Sequence, residues 1–147
     1  FEWDGNQSIA ISTMQDLFGM KAGATADGAK IDRGLNAIKT AYLNQGYLDQ
    51  KLEIKTDFDD SSSTANYHIT VNEGQLFRMG EVVIANAPES EQKRIRGRWE
   101  LAQGSVFNFS YVREFMKKMS EDRSGRMPRV NLQLDRTKQT ADVIFTF

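Results

Sequence analysis

The first quarter of the chain shows the pattern of a short strand followed by a short helix. Residues 1–4 alternate apolar and acidic side chains with period two, and Gly5-Asn6 is a turn signal that ends this strand. Ser12, with Gln15 three positions later, forms a capping-box pattern that predicts the start of a helix. We expect the helix to break at Gly23. Its predicted buried side chains are Met14, Leu17 and Phe18.

A longer helix is predicted to begin after Asp27, a suitable N-cap, and to stop at Asn44-Gln45-Gly46. Four apolar residues at offsets 0, 4, 7 and 11 share one face of this helix: Ile31, Leu35, Ile38 and Tyr42. Such a stripe is typical of a helix that packs against a core on one side.

Two strands joined by the polar segment 59–64 follow. Along the first strand two faces alternate, with Leu52, Ile54, Thr56 and Phe58 on one and Lys51, Glu53, Lys55 and Asp57 on the other. Along the second strand the inner residues are Tyr67, Ile69 and Val71, and the outer ones are His68, Thr70 and Asn72. Sheets with one apolar and one charged face are antiparallel or mixed and carry helices on a single side. The pattern therefore predicts an α+β fold.

The same order of elements repeats from Leu76 onward, which indicates two tandem units. The predicted elements are a strand over 77–84, a helix over 89–102, a helix capped by Ser110 and stopped at Ser124-Gly125, and strands over 130–134 and 141–147. The apolar residues lining the two helices are Ile95 and Trp99 in the first and Val112, Phe115, Met116 and Met119 in the second.

Three short sequence motifs in the first unit point to a particular family of domains. They are Gly5-Asn6 after the first strand, Tyr42-Leu43-Asn44-Gln45-Gly46-Tyr47 at the end of the long helix, and Glu73-Gly74 after the last strand. Together they resemble a polypeptide-transport-associated (POTRA) domain, and residues 77–84 resemble the first strand of a second one. In the second copy Asn86 lacks the preceding glycine, and Arg126 stands where the family usually has tyrosine. The resemblance is closest to the periplasmic arms of outer-membrane assembly proteins of the BamA type.

This resemblance implies an architecture and a role. The fold would be two β-α-α-β-β units, residues 1–75 and 76–147, each a three-stranded mixed sheet covered on one face by two helices. The chain would be a non-catalytic module on the periplasmic side of the outer membrane of a Gram-negative bacterium, within a protein that continues into a membrane β-barrel. Its partners would be unfolded outer-membrane polypeptides and accessory assembly lipoproteins.

In that family the second strand of each sheet lies on an open edge. An open edge presents unpaired N–H and C=O groups, to which an extended peptide adds as a further strand largely irrespective of its sequence. Outward charges such as Lys51, Glu53 and Lys55 suit an edge that must stay soluble while empty. A protected edge that binds nothing is the alternative. The implied edge residues are Lys51, Leu52, Glu53, Ile54, Lys55 and Thr56 in the first unit and Arg129, Val130, Asn131, Leu132, Gln133 and Leu134 in the second.

The formal net charge of −1 hides an excess of acidic residues before Leu76 and of basic residues after it. The candidates for contact with an acidic partner or with anionic lipid headgroups are Lys93, Arg94, Arg96, Arg98, Lys117 and Lys118. Acidic residues such as Glu89 and Glu91 interleave with them, so a mixed, solvated helix face is the alternative. The aromatic residues nearby have the spacing of helix packing, and nucleic-acid binding is not predicted.

The sequence gives little support for disulfides, metal sites, phosphate binding or catalysis. The chain has no cysteine and a single histidine, His68, which excludes disulfides, thiolate zinc sites and paired-histidine chemistry. We expect His68 to be solvated. Asp57, Asp59 and Asp60 resemble the start of a calcium loop but lack its glycine and closing glutamate, so a hairpin turn is expected. Phosphate-binding and nucleophile-elbow patterns are absent, and no enzyme activity, metal or cofactor is predicted.

The first residue is Phe1 and no signal-peptide pattern follows, so we expect a processed or excised piece of a longer protein. No apolar run approaches the length that spans a bilayer. Two other functions stay open at this point. One is the POTRA pair of a two-partner secretion transporter, which serves a single exported partner. The other is an inert spacer or scaffold of the cell envelope.

Overall fold

The computed structural model describes residues 1–122 and 127–147. The chain divides into two compact units. Unit 1 comprises Phe1–Leu43 and Tyr47–Gln75, and unit 2 comprises Asn44–Gly46 and Leu76–Phe147. The helix stop predicted at Ser124-Gly125 lies outside the described residues.

Five elements build the first unit: β1 (Glu2–Asp4), α1 (Ile11–Phe18), α2 (Gly28–Asn44), β2 (Lys51–Asp59) and β3 (Thr64–Asn72). The sheet has the order β1-β3-β2. Strand β1 runs parallel to β3, and β2 runs antiparallel to it, with Ile54 opposite Ile69. A single core joins the layers, because Met14 and Phe18 of α1 and Ile38 of α2 belong to the same buried cluster as Ile69.

Five further elements repeat this order: β4 (Arg78–Ala85), α3 (Glu89–Arg98), α4 (Phe109–Glu121), β5 (Arg129–Asp135) and β6 (Thr140–Thr146). The second sheet has the order β4-β6-β5, with β4 parallel and β5 antiparallel to β6. Aromatic rings fill its core, since Trp99 lies 5.0 Å from Phe115 and 5.9 Å from Phe145 between ring centroids. Two mixed three-stranded sheets with paired helices confirm the predicted α+β class.

The short helix α1 differs from its prediction at both ends. The capping box is wrong, because the helix already begins at Ile11 and Ala10 is its N-cap without a side-chain bond. The helix ends at Phe18 and not near Gly23, because Gly19 has φ +74° and turns the chain into the left-handed region. Leu17 is 36% exposed although it was predicted to be buried. Only Met14 and Phe18, four residues apart on one face, reach the core.

The long helix α2 follows its prediction closely. The Asp27 carboxylate accepts hydrogen bonds from the backbone N–H groups of Ala29 and Lys30 at 3.0 and 3.2 Å, so the predicted cap is confirmed. The helix ends at Asn44 as expected. Of the predicted stripe, Ile31, Ile38 and Tyr42 are buried and Leu35 is half-buried.

The helix ends in unit 2 differ from those that the sequence predicted. Helix α3 ends at Arg98 and not at residue 102, because Trp99 is extended and its indole N–H donates to the Leu101 carbonyl at 2.8 Å. Helix α4 is capped by Asn108 and not by Ser110. The Asn108 side chain accepts hydrogen bonds from the backbone N–H groups of Ser110 and Tyr111. The buried residues of α4 are Val112, Phe115 and Met119, while Met116 is half-buried.

Two glycines of α2 offer a direct test of how closely the helices pack. A Cβ atom added at Gly34 would lie 2.6 Å from both the carbonyl oxygen and a ring carbon of Phe18, whereas Gly28 has open space around it. We expect Gly34→Ala to lower the free energy of unfolding by about 1–3 kcal/mol through overpacking. The control Gly28→Ala should leave it unchanged or raise it by up to about 1 kcal/mol, because alanine favours the helix. Urea unfolding followed by circular dichroism measures both, and equal effects would contradict this packing.

Candidate functional site

Strand β2 lies at one end of the first sheet and pairs with β3 from Lys51 opposite Asn72 to Asp59 opposite Thr64. Among the described residues, no backbone hydrogen bond connects β2 to any other segment. An edge strand directs the N–H and C=O groups of every second residue away from its partner. The implied binding residues 51–56 therefore form part of a strand with one open side.

The side chains of β2 alternate in exposure along residues 51–55. Lys51, Glu53 and Lys55 are exposed, whereas Leu52 and Ile54 are half-buried against the core. This arrangement separates charge from the apolar layer, so that a strand added beside β2 has one polar and one apolar face to continue.

Strand β5 occupies the corresponding place in the second sheet and pairs with β6, with Leu132 opposite Val143. Its exposed residues Arg129, Asn131 and Gln133 alternate with half-buried ones, which are Val130, Leu132 and Leu134. In the part of the chain that the structure describes, no backbone hydrogen bond joins β5 to a segment other than β6. The two implied edges therefore share the same local geometry.

The apolar side of β2 is not covered along its whole length. Phe58 shares the face of Leu52 and Ile54, yet its side chain is 77% exposed. The loop between α1 and α2 lines a groove of about 750 Å³ with Phe58, Phe1 and Tyr67. The sequence pattern did not indicate this, because alternation identifies a face but not how far the covering layer extends.

Three of the six residues of the basic cluster are paired with acidic side chains. Lys93 lies 3.4 Å from Glu89, and Arg94 lies 2.8 Å from Glu91 between charged atoms. Arg98 lies 2.6 Å from the Asp122 carboxylate, which Arg94 also approaches at 3.7 Å. Within residues 1–122 and 127–147, the members of the cluster that form no ion pair are Arg96, Lys117 and Lys118. The pairing reduces the positive charge that this surface presents to a partner.

His68 connects the three strands of the first sheet on its outer face. Its Nδ1 atom lies 2.7 Å from a carboxylate oxygen of Glu2 on β1, and its Nε2 atom lies 3.1 Å from one of Asp57 on β2. The sequence predicted only a solvated histidine, because neighbours across a sheet depend on strand order, which a single sequence does not reveal. In the hairpin, the Asp59 carboxylate accepts hydrogen bonds from Ser61 and Ser62, which lower its pKa and close a turn.

A network centred on Glu73 was missed by sequence reasoning. Its carboxylate accepts hydrogen bonds from the backbone N–H groups of Gln7 and Ser8 at 2.7 and 2.8 Å and from the Tyr42 hydroxyl at 2.9 Å. The Ser8 hydroxyl donates to its second oxygen at 2.8 Å and lies 2.6 Å from the Tyr47 hydroxyl. The second and third motifs of the family resemblance, together with the two residues that follow the first, therefore meet at one carboxylate.

The network changes the acidity of both of its central groups. Partial burial alone raises the pKa of Glu73, but the hydrogen bonds from Ser8, Gln7 and Tyr42 outweigh it and lower that pKa below its usual range. Burial, and then the hydrogen bond to Glu73, raise the pKa of the Tyr42 hydroxyl. Glu73 is therefore an anion near neutral pH, held by four donors at the end of β3.

No helix within residues 1–122 or 127–147 has the length and apolar character needed to cross a bilayer. The family model described as "POTRA: Surface antigen variable number repeat" matches residues 1–74, about half of the chain. The chain therefore belongs to the POTRA family.

A protein of Treponema pallidum (strain Nichols), named as a candidate outer membrane protein assembly factor, is 24% identical over 115 residues. The match covers 78% of this chain but 14% of that protein, so the chain spans a small part of its relative.

Two solved structures show the same fold in both units. The crystal structure of Haemophilus influenzae BamA POTRA3-5 matches 99% of this chain and 63% of its own with a TM-score of 0.75 at 20% identity. The crystal structure of BamA from Haemophilus ducreyi lacking POTRA domains 1–3 matches 97% of this chain and 27% of its own with a TM-score of 0.77 at 16% identity. Because these matches span almost the whole chain, unit 2 also has the fold of a POTRA domain.

Removal of the Glu73 charge should destabilise unit 1 in a pH-dependent way. We expect Glu73→Gln to lower the free energy of unfolding near pH 7 by about 2 kcal/mol, because hydrogen bonds to a charged acceptor are lost. The folded-state pKa of Glu73 is lowered, so its contribution is complete above the unfolded-state pKa and is lost as the pH falls through the folded-state pKa. The difference between wild type and variant should therefore shrink in acid.

The matched control is Glu53→Gln, which removes an exposed carboxylate on β2. Its effect should stay within about 0.5 kcal/mol. Urea unfolding curves recorded between pH 7 and pH 3 measure both variants. A Glu73→Gln effect that is as small as the control, or that does not change with pH, would show that the network does not stabilise the unit.

Proposed function

We propose that this chain is a pair of POTRA domains, residues 1–75 and 76–147, that binds extended segments of unfolded outer-membrane polypeptides on the periplasmic side of the outer membrane of a Gram-negative bacterium. The segments add as fourth strands beside β2 and β5. The observation that carries the proposal is that each of these strands has one neighbouring strand and one open side among the described residues. The name of the Treponema relative supports the assembly context.

Main-chain recognition suits a receptor that must accept many sequences. Strand β2 has nine residues and β5 has seven, which at about 3.3 Å per residue correspond to roughly 30 and 23 Å of edge. Each added hydrogen bond contributes only about 1 kcal/mol net. After the entropic cost of association, the expected Kd for a short peptide is on the order of 0.1–1 mM. Binding of this strength releases its clients readily.

The charged side chains prevent the open edges from pairing with each other. Lys51, Glu53 and Lys55 alternate along β2, and Arg129 begins β5. Polypeptide binding and solubility are therefore compatible on the same strand. We assign no catalytic role to any residue of the two domains. For contact with an acidic partner, such as an assembly lipoprotein or a lipid headgroup, we assign Arg96, Lys117 and Lys118, since the other three cations form ion pairs.

A titration with an extended peptide tests whether segments add beside β2 and β5. An outer-membrane strand peptide should shift the backbone amide resonances of residues 51–56 or 129–134 saturably. The same peptide N-methylated on the alternate residues that face the edge should bind at least about tenfold more weakly, because the new hydrogen bonds cannot form. Nuclear magnetic resonance of the isotope-labelled chain measures both.

Charge reversal provides the matched control. Lys55→Glu should change the affinity for a neutral peptide less than about threefold, since recognition runs through the main chain. A peptide N-methylated on the opposite edge should bind as the parent does. An inert spacer would show no response at saturating peptide. Equal binding of both N-methylated peptides would show that strand addition is not the mode of binding.

A further inference from the structure

The first strand of unit 2 is longer than its counterpart in unit 1. Strand β1 has three residues and ends before Gly5, whereas β4 has eight residues and continues to Ala85. Asn86, which follows directly, has φ +57° and ends the strand without a glycine in front of it. Since β4 lies at the opposite end of its sheet from β5, unit 2 has a second long sheet edge.

The chain itself covers the first part of this edge. The Met79 N–H donates to the Ser105 carbonyl at 2.7 Å, and the Gly104 N–H donates to the Met79 carbonyl at 2.8 Å. Arg78 and Val106 form an antiparallel bridge. Among the described residues, no other segment bonds through its backbone to the outer edge of β4 beyond Met79. The edge therefore accepts an extended antiparallel segment, and the chain's own segment leaves its second half open.

The groups left open can be identified from the pairing with β6. The Phe147 N–H donates to the Ala85 carbonyl at 3.1 Å, which shows that Ala85 directs its backbone toward β6. The direction of the backbone N–H and C=O groups alternates along a strand. Those of Val83 therefore also point toward β6, while those of Val82 and Ile84 point away from it. An irregularity between Met79 and Val82 separates this open part from the covered part.

A groove of about 560 Å³ runs beside the open groups. Its wall is formed by β4, Arg96 of α3 and the following residues Trp99 and Leu101. The Trp99 indole N–H is already bonded to the Leu101 carbonyl, so the ring offers apolar surface. Arg96 is exposed and has no acidic partner in the part of the chain that the structure describes, unlike its neighbours on α3. Glu81 is the carboxylate of the groove, and its N–H is bonded to Asp142.

We propose that this groove binds a second extended peptide segment, antiparallel to β4, which continues the pairing that residues 104–107 begin. The segment exchanges hydrogen bonds with Val82 and Ile84, places apolar side chains against Trp99 and Leu101, and directs one carboxylate toward Arg96. Unit 2 then binds extended peptide at both edges of its sheet. Unit 1, with its three-residue β1, binds it at β2 alone.

The test is a titration of the isotope-labelled 147-residue chain with a nine-residue peptide of alternating valine and threonine that carries one glutamate. The amides of residues 81–85 and the Trp99 indole N–H should shift saturably, and the Trp3 indole N–H in unit 1 should not. Val82→Pro removes an outward N–H that β6 does not use, so it should weaken this binding at least about tenfold. Arg96→Gln should weaken binding of the glutamate peptide about three- to tenfold and leave a glutamine version unchanged.

Arg96 is an exposed side chain, so Arg96→Gln keeps the fold and decides the question if Val82→Pro does not fold. Shifts confined to β2 and β5 would overturn this inference and leave the proposed function intact. An Arg96→Gln variant that binds both peptides like wild type would overturn it as well. Shifts at residues 81–85 without any at β2 or β5 would support the groove and contradict the proposed function.

Discussion

The carboxylate of Glu73 is the interaction on which the arrangement of unit 1 depends. Four donors from the segment after β1 and from α2 converge on it, so the end of β3, the turn after β1 and the last turn of α2 are held together. A Cβ atom at Gly5 would overlap the Val71 carbonyl oxygen, which requires glycine at the same turn. With β1 held on one side of β3, strand β2 is left with a single neighbour and an open side.

An open sheet edge in a soluble domain has a cost and a use. It can pair with any extended chain, so an uncontrolled edge leads to aggregation. In this chain charged and apolar residues alternate along β2, as in Lys51 and Leu52, which keeps the empty edge solvated without blocking its main chain. The same balance appears in β5 with Arg129 and Val130. The proposed strand addition is weak and tolerant of sequence for this reason, which suits a receptor for many clients.

Local patterns predicted what local physics controls. The cap at Asp27 and the stripe through Ile38 were predicted because capping and helical periodicity involve neighbours in sequence. The capping box at Ser12 failed because α1 already begins at Ile11, and Gly19 in the left-handed region ends it before Gly23. Helix α4 is capped by the Asn108 side chain, which accepts hydrogen bonds from two backbone N–H groups. Ser110 therefore lies inside the helix and is not its cap.

The parts of the site that depend on strand order could not be predicted from the residues alone. The contacts of His68 with Glu2 and Asp57 require β3 to lie between β1 and β2, and the donors to Glu73 lie up to 66 residues away in sequence. The family resemblance supplied the edge positions, because recurring motifs carry information about tertiary contacts. The most direct measurement is a crystal structure of this chain with a bound outer-membrane strand peptide. The account predicts the peptide as a fourth strand hydrogen-bonded to β2 or β5, and a peptide bound only to helix or sheet faces would contradict it.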